Sequence, residues 1–187
     1  MATKGEVRRE RVLEAALQVL AQQGAHGFRM RAVASAADLS LSHVQYYFPS
    51  LDSLLAAVVE RYLREWDQRL AAAPDDLASA LTLVLDSHLH CQDCQVLWEL
   101  WAMAGHDPAA NTALTGFYQA YIDRVCVLLA RDAAQVPAET IRGRAVLIVA
   151  LLEGLSVLRG AGREAALAPE AGEQALAAIM ALAAMPV

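Results

Sequence analysis

Met30-Arg-Ala-Val-Ala-Ser-Ala-Ala37 and Ser40-Leu-Ser-His-Val-Gln-Tyr-Tyr-Phe-Pro-Ser50 are the two segments that decide the fold. Apolar residues recur at helical spacing in both, and residues 38–40 between them are typical of a tight turn. The Ser40 hydroxyl can cap the second helix, and Pro49 ends it. Each helix is too short to be stable alone, so both must pack on a longer helix. The pattern predicts a helix-turn-helix.

A longer helix is predicted on each side of this pair. Before it, Val12, Ala16 and Leu20 lie on one helix face, and Gly24 follows at a C-cap position. After it, apolar residues spaced three or four apart indicate a connector helix over residues 51–72. The first helix supplies the surface on which the two short helices can pack.

The rest of the chain is also predicted to be helical. Alanine and leucine are frequent, only 10 of the 187 residues are Gly and 6 are Pro, and no stretch alternates apolar and polar side chains. Helical stripes follow at residues 77–91, 96–104, 114–128, 137–159 and 169–184. We therefore expect an all-α protein of about nine helices, with a three-helix unit in residues 1–50 and a helical bundle in residues 51–187.

The net charge of −6 is unevenly distributed along the chain. Residues 1–50 carry six basic and four acidic side chains, whereas residues 51–187 carry nine basic and seventeen acidic ones. A polyanion would be repelled by the larger part of the molecule and tolerated only at its N-terminal part. This distribution favours DNA as a partner of the helix-turn-helix, although chance scatter of a few charges is the alternative.

The composition also excludes several classes of protein. A chain with 57% hydrophobic and 19% charged residues is not disordered. The longest apolar run, Ala145 to Leu152, is far shorter than the ~20 residues of a membrane-spanning helix, and the N-terminus lacks the apolar segment of a signal peptide. Three cysteines do not suggest a disulfide framework. We expect a soluble, cytoplasmic protein with no membrane partner.

These features resemble the DNA-binding domain of the TetR family of bacterial transcriptional regulators. The resemblance covers about residues 8–55 and rests on four stretches, Val12–Gly24, Arg31–Ala34, Ser40–Ser50 and Leu54-Leu55. The aromatic-Phe-Pro-Ser ending of the second short helix is its most specific element, and the nine-helix layout agrees along the rest. The resemblance implies a homodimer that binds a palindromic operator, acts as a repressor, and is released by a small molecule.

The residues expected to contact DNA lie mainly on the second short helix, which would enter the major groove by its N-terminal end. Gln45 can form two hydrogen bonds to adenine, while tyrosine hydroxyls and arginines would contact phosphates. Val44 and Phe48 lie on the opposite face and are expected in the core. The predicted DNA-binding residues are Arg29, Arg31, Ser40, Leu41, Ser42, His43, Gln45, Tyr46 and Tyr47. Core packing is the alternative for one of the tyrosines, and a solvated surface position for the histidine.

Two positions depart from the family pattern. Arg29 replaces the Thr or Ser that usually caps the second helix, which removes a cap worth ~1 kcal/mol. Leu51 replaces the Lys that usually follows Phe-Pro-Ser and donates to a phosphate. We expect a shallower salt dependence of DNA binding, without loss of binding.

The resemblance also implies an inducer site between the central helices of the larger domain, where aromatic and sulfur side chains concentrate. The predicted ligand-binding residues are Tyr62, Trp66, His88, Cys91, Trp98, Trp101, Phe117, Tyr118, Tyr121 and Glu153. Ordinary core packing is the alternative for each of them. No basic residue lies between Arg69 and Arg124, whereas carboxylates and tryptophans are available, so the expected inducer is neutral or cationic and largely apolar.

A dimer surface is predicted on the last two helices. The helix over residues 137–159 is apolar on almost every side, and in a small bundle its outer face can be buried only against a second chain. A four-helix contact across a two-fold axis is a common solution. The predicted interface residues are Leu147, Leu151, Gly154, Leu155, Leu158, Leu176 and Ile179.

The alternatives are a small all-α enzyme, or a metal or thiol sensor that uses the cluster from His88 to Cys94. The sequence contains no Gly-rich phosphate loop, nucleophile elbow or His-Glu-x-x-His motif, so we expect no enzyme activity and no cofactor. On one rigid helix, His88 and Cys91 share one face, and His90 and Cys94 share another that diverges from it. A helix break near Gln92 would relax this geometry, but no matching second pair occurs elsewhere in the sequence, so we expect no metal site. No basic residue lies near Cys91 or Cys94 to lower the pKa of their thiols, which disfavours the thiol sensor.

Overall fold

The computed structural model describes residues 3–72, 76–88, 91–133, 135–160, 162–168 and 170–185, without the side chains of residues 67, 70, 91–93, 109, 132, 164 and 166. Within these residues the chain contains no strand. The helices are α1 (Lys4–Gly27), α2 (Met30–Ala36), α3 (Leu41–Tyr47), α4 (Leu51–Ala72), α5 (Leu77–Ser87), α6 (Cys91–Ala104), α7 (Pro108–Asp132), α8 (Ala138–Arg159) and α9 (Ala171–Ala183), with a 3₁₀ turn at Arg163–Ala166. The all-α prediction is confirmed.

The helix ends follow local capping chemistry. At the start of α1, Thr3 and Glu6 form a reciprocal capping box, in which each side chain accepts a hydrogen bond from the other's backbone N–H. Ser50 and Ser53 do the same at the start of α4. Asp76 caps α5 by accepting a hydrogen bond from the Ser79 backbone N–H at 2.8 Å. These caps satisfy N–H groups that have no partner within their own helix.

The sequence places two helix boundaries differently from the structure. The first helix breaks at Gly24 as predicted, with φ +65°, but a further turn to Gly27 follows the kink. The stripe over residues 77–91 does not form one helix: α5 ends at Ser87 and α6 begins at Cys91. The prediction that His88 and Cys91 share a helix face is therefore wrong.

The chain forms two compact units. The first unit contains Met1–Trp66 and Gln95–Thr115, and the second contains Asp67–Cys94 and Gly116–Val187. In the first unit, α2 packs on α1 and α3 packs on α2. In the second, α5, α8 and α9 contact one another. The first compact unit extends beyond residue 50, so the functional division into residues 1–50 and 51–187 stays a prediction.

Each unit has a buried apolar core. In the first unit, the side chains with at most 3% exposure include Val12, Leu20, Val33, Val44, Phe48, Leu54, Val58 and Leu100. In the second, Leu81, Ile148, Leu152 and Ile179 are buried to the same degree. The predicted core positions of Val44 and Phe48 are confirmed, which fixes the opposite face of α3 toward solvent.

Candidate nucleic-acid interface and ligand site

Helix α3 presents a polar face to solvent. Ser40, Ser42, His43, Gln45 and Tyr46 are exposed, and Tyr46 has 80% of its surface accessible. Leu41 and Tyr47 are half-buried, so core packing accounts for part of Tyr47. The two tyrosine rings meet edge to face with centroids 5.1 Å apart. Five of the seven DNA-binding residues predicted in residues 40–47 are therefore accessible, and the other two are partly so.

A hydrogen-bond network around Ser40 orders the N-terminus of α3. Its Oγ accepts a hydrogen bond from the His43 backbone N–H at 3.3 Å and lies 2.9 Å from both Ser42 Oγ and His43 Nδ1. A hydroxyl has one hydrogen and two acceptor sites. Two arrangements satisfy these contacts: Ser42 donates to Ser40 and Ser40 donates to Nδ1, or Nδ1 donates to Ser40 and Ser40 donates to Ser42. In both arrangements Nε2 takes no part in the network, so it is available to a hydrogen-bonding group of DNA.

The tight turn before α3 has an unusual backbone. Asp38 adopts φ +52°, the left-handed conformation that Asp and Asn tolerate better than most residues. Its carboxylate forms an exposed ion pair with Arg11, at 3.3 Å, which links the turn to α1. The turn is further closed by backbone hydrogen bonds from Asp38 to Ser35 and from Leu39 to Ala34. These contacts set the relative positions of α2 and α3.

Two basic side chains are exposed around α2. Arg29 is the N-cap residue of α2 and makes no capping hydrogen bond with its side chain, as predicted. Its Nε donates to the His26 carbonyl at 3.4 Å. The Arg31 side chain has no hydrogen bond or ion pair with any residue that the structure describes. Its guanidinium is thus available for a phosphate. Leu51, in place of a phosphate-binding Lys, has 36% of its surface exposed.

The predicted ligand-binding residues are divided between the two units. Tyr62, Trp66, Trp98 and Trp101 belong to the first unit, where Tyr62 is buried and the three tryptophans are half-buried. His88, Phe117, Tyr118, Tyr121 and Glu153 belong to the second. Cys91 belongs to the second unit as well, and its side chain lies outside the described part of the chain. Within the second group, two predicted residues make a polar contact with each other.

That contact joins Tyr118 on α7 to Glu153 on α8. The tyrosine hydroxyl donates to Glu153 Oε2 at 3.1 Å. Burial raises the pKa of Glu153 from 4.5 to about 7, although the hydrogen bond from Tyr118 partly opposes the rise. The carboxyl group is thus divided between its neutral and charged forms near neutral pH. It can accept a hydrogen bond in either form and can pair with a cation when ionised.

Tyr121 lies one helical turn beyond Tyr118 and is 5% exposed. Its hydroxyl is buried and has no hydrogen-bond partner among the described residues. Burial, together with the charge of Glu153, raises the pKa of Tyr121 well above 10. A buried hydroxyl without a partner costs free energy, so a polar group that enters this region gains a donor or an acceptor. Phe117, whose ring centroid is 5.9 Å from that of Tyr121, provides an apolar neighbour.

His88 and Arg159 are two further buried polar residues of the second unit. His88 is 4% exposed, and its Nδ1 has no partner within the described structure. Burial and the positive charge of Arg159 lower the pKa of His88 to about 4, so the ring is neutral at pH 7. Arg159 is also buried and donates to the Leu85 carbonyl at 2.9 Å. A Cβ on Gly172 would lie 3.3 Å from the Arg159 guanidinium, so glycine leaves room for this side chain against α9.

The outer face of α8 is apolar and accessible. Leu147, Leu151 and Leu158 are 45–54% exposed, and a Cβ added to Gly154 would meet no atom within 4 Å. These four predicted interface residues are spaced four, three and four apart, as one helix face requires. Val146 and Val157 extend the face and were not predicted. Leu155 and Leu176 are half-buried, whereas Ile179 is 1% exposed. Ile179 is therefore a core residue, and its prediction as an interface residue is wrong.

No group of three or more His, Cys, Asp or Glu side chains that could hold a metal ion occurs among the described residues. His90 lies outside them, as does the Cys91 side chain. Cys94 is buried, which limits its access to oxidants or metals in solution. The third cysteine, Cys126, has a pKa raised above 9 by burial, so its thiolate is disfavoured. None of the described helices is long and apolar enough to cross a membrane.

Two residues with structural roles were missed by sequence reasoning. Glu99 accepts a hydrogen bond from the backbone N–H of Ala25, a residue 74 positions away, and no local pattern signals such a contact. Arg144 is buried in α8 at the same spacing as the apolar residues Ile141 and Ile148. A cation within an apolar stripe is a signal that could have identified it.

Comparison with known proteins also points to a DNA-binding segment in the N-terminal helices. A family model for bacterial regulatory proteins of the tetR family matches residues 12–58, which include α2, α3 and most of α1. An uncharacterized HTH-type transcriptional regulator "in dhlA 5′ region" of Xanthobacter autotrophicus is 33% identical over 165 residues. The match covers 82% of this chain and 80% of that protein.

Solved structures extend the similarity to the whole chain. A member of the TetR family from Streptomyces coelicolor A3 is 29% identical with a TM-score of 0.71, over 96% of this chain and 99% of that one. The multidrug binding protein EbrR, solved in complex with imidazole, is 26% identical with a TM-score of 0.67. That match covers 96% of this chain and 97% of that one.

Proposed function

Since the chain belongs to the TetR family of bacterial transcriptional regulators, we propose that it binds a palindromic operator as a homodimer and represses transcription until a small molecule releases it. It is a regulator rather than an enzyme, as its relatives are. The observation that carries the proposal is the accessible polar face of α3, ordered at its N-terminus by Ser40. A cytoplasmic location, where operator DNA lies, is part of the proposal.

Gln45 and His43 are the proposed base-reading residues. Both are exposed on α3, and the Ser40 network leaves His43 Nε2 available for a hydrogen bond to a base. Arg29, Arg31, Tyr46 and Tyr47 would contact phosphates, with Ser40, Leu41 and Ser42 close to the groove at the helix N-terminus. Phosphate contacts fix the register of the protein on DNA, whereas base contacts determine its sequence preference.

The proposed dimer uses the exposed face of α8. A two-fold axis would pair Leu147, Leu151, Gly154 and Leu158 with the same residues of a second chain, with Leu155 and Leu176 at the margin. Burial of these side chains would remove a contiguous apolar patch from water. A symmetric dimer carries two copies of α3 and therefore requires a DNA site with two-fold symmetry.

The proposed inducer site uses Phe117, Tyr118, Tyr121 and Glu153, with His88 as a neutral partner. The buried Tyr121 hydroxyl and the buried Glu153 carboxyl favour a ligand that presents hydrogen-bond donors or a positive charge. The imidazole complex of the relative EbrR is consistent with a weakly basic ligand in a related protein. Tyr62, Trp66, Cys91, Trp98 and Trp101 stay predictions as further ligand contacts. Release follows if the ligand binds better to the state that cannot bind the operator.

Selection of duplexes from a random pool by the purified chain would test the operator proposal. We expect enrichment of an inverted repeat whose half-sites lie ~34–36 Å apart, about one helical turn. Enriched sequences without two-fold symmetry would contradict the proposal that a homodimer binds a palindrome.

The ligand proposal is then tested by release of the enriched duplex from the protein. Cationic and neutral aromatic compounds should release it, and a Tyr121→Phe variant should respond less. Release by anions alone would contradict the proposed ligand class.

A further inference from the structure

The second unit contains a cavity of about 450 Å³ that is separate from the proposed inducer site. Its walls come from the first residue of α5, the end of α7, the loop after α7, and the end of α9. The apolar lining includes Leu77, Leu128, Leu129, Val136, Met180 and Met185. None of Phe117, Tyr118, Tyr121 and Glu153 lines it. Cavities of a few hundred Å³ with apolar walls are typical small-molecule sites.

Among the lining residues that the structure describes, one is charged, Arg144. It is 8% exposed, and its guanidinium donates to the Ala183 carbonyl at 3.0 Å and to the Met185 carbonyl at 2.5 Å. It forms no ion pair with any carboxylate of the described residues. A guanidinium has five N–H donors, so these two hydrogen bonds leave donors available. A buried cation at the wall of an apolar cavity is the feature that needs an explanation.

Burial of an arginine without an opposite charge is costly, and two carbonyl dipoles offset only part of that cost. An anion in the cavity would complete the pairing, and a planar carboxylate or a phosphate matches the geometry of the guanidinium. A neutral apolar ligand would leave the charge unpaired, and a cation would be repelled. Apart from Gln135, the remaining described walls are aliphatic side chains and two methionines, and methionine side chains adapt to a flexible alkyl chain.

We propose that this cavity binds a single-chain amphiphilic anion, with its carboxylate or phosphate headgroup on Arg144 and its alkyl chain along Leu128, Leu129, Met180 and Met185. The site lies outside the region proposed for the inducer and goes beyond the function proposed above. It gives the chain a second ligand class, an anion, whereas the expected inducer is neutral or cationic.

Isothermal titration of the wild-type chain with decanoate, decyl phosphate and decanol tests the headgroup. The three probes share one tail, so a difference among them reports the charge. We expect at least one of the two anions to bind with a stoichiometry of one molecule per chain. Its affinity should be about tenfold or more higher than that of decanol, because a hydrogen bond between two charged groups contributes more binding free energy than one to a neutral hydroxyl. The tighter anion identifies the headgroup. Equal affinity for all three probes, or no saturable binding of either anion, would overturn the proposal without any variant.

Variants then test the position of the site. Arg144→Met should abolish the preference for the anion, and Arg144→Lys should retain part of it. Arg142→Met is the matched control, because Arg142 is an exposed arginine of the same helix that pairs with Asp123 instead. Ala133 lines the cavity, so Ala133→Trp should fill part of it and block the anion, while Tyr121→Phe should leave the affinity for the anion unchanged. A preference for the anion that survives both Arg144→Met and Ala133→Trp would place the anion elsewhere and overturn the assignment.

Discussion

The Glu99 carboxylate of α6 accepts a hydrogen bond from the backbone N–H of Ala25 at 2.7 Å. Gly24 interrupts α1 with φ +65°, so Ala25 begins a short final turn whose first N–H has no partner in the helix before the kink. A carboxylate at the start of a helical turn is favourable because the free N–H groups there carry partial positive charge. Through this contact α6 holds the end of α1, the helix against which α2 packs.

The first prediction concerns Gly24. Gly24→Ala should lower the free energy of unfolding by about 1–3 kcal/mol, because alanine is disfavoured at positive φ. The new Cβ would also lie 3.0–3.3 Å from the Glu99 carboxylate, which would have to move. Urea denaturation followed by circular dichroism measures the change.

Gly116→Ala is the matched control for this substitution. Gly116 lies inside α7, and a Cβ there would meet no atom within 4 Å. Alanine is favoured over glycine in a helix interior by up to ~1 kcal/mol, so this variant should be as stable as the wild type or more stable. Equal destabilisation by the two substitutions would show that the Gly24 backbone and the Glu99 contact carry no special role.

The local elements of the first unit could be predicted because their signals lie within a few residues. Ser40 caps α3, Pro49 ends it, and apolar spacing places Val44 and Phe48 in the core. The boundary near His88 was missed because the apolar stripe continues through residues 88–91, and periodicity alone does not show where a helix stops.

Contacts between distant helices were beyond sequence reasoning. The Tyr118–Glu153 hydrogen bond joins two predicted ligand residues, but neither the pair nor its geometry follows from spacing along the chain. Ile179 was misassigned for the same reason. An apolar residue on an amphipathic helix can face its own core or a partner, and only the position of the neighbouring helices decides between them.

The second prediction separates base reading from phosphate binding. Gln45→Ala should weaken binding to the selected operator by ~1–3 kcal/mol and leave binding to random DNA unchanged, because it would remove two hydrogen bonds to a base. Arg31→Ala should weaken binding to both by the same factor, since every sequence presents phosphates. Fluorescence anisotropy at one fixed salt concentration measures both affinities. Equal losses on operator and random DNA for Gln45→Ala would rule out base reading by Gln45.

The third prediction tests the α8 face. Leu151→Glu should convert the dimer to a monomer, because the substitution would bury two unpaired carboxylates across the two-fold axis. Val127→Glu is the control, since Val127 is a similarly exposed apolar residue on α7 (50% against 45%) that lies off this face. Sedimentation velocity distinguishes the species. If both variants were monomers, or if both remained dimers, the exposed face of α8 would not be the dimer interface.

The last prediction is a pH dependence of stability that comes from Glu153. Its pKa is about 7 in the folded chain against an ordinary value of 4.5. Below pH 4.5 the carboxyl group is protonated in both the folded and the unfolded chain, and its burial carries no charge penalty. Between pH 4.5 and 7 the unfolded chain loses the proton first, so the free energy of unfolding falls as the pH rises, by at most about 3 kcal/mol.

Glu153→Gln should remove this fall, because glutamine does not titrate and its carbonyl can still accept the Tyr118 hydrogen bond. The free energy of unfolding of the variant, relative to that of the wild type, should therefore increase as the pH rises from 5 to 8. His88 has the opposite effect: its pKa is lowered to about 4, so its contribution to stability is lost as the pH falls from 6.5. That contribution is common to both proteins and cancels in the comparison. Urea denaturation at pH 5, 6, 7 and 8 measures the difference, and a constant difference across the series would show that the Glu153 carboxyl is not buried as described.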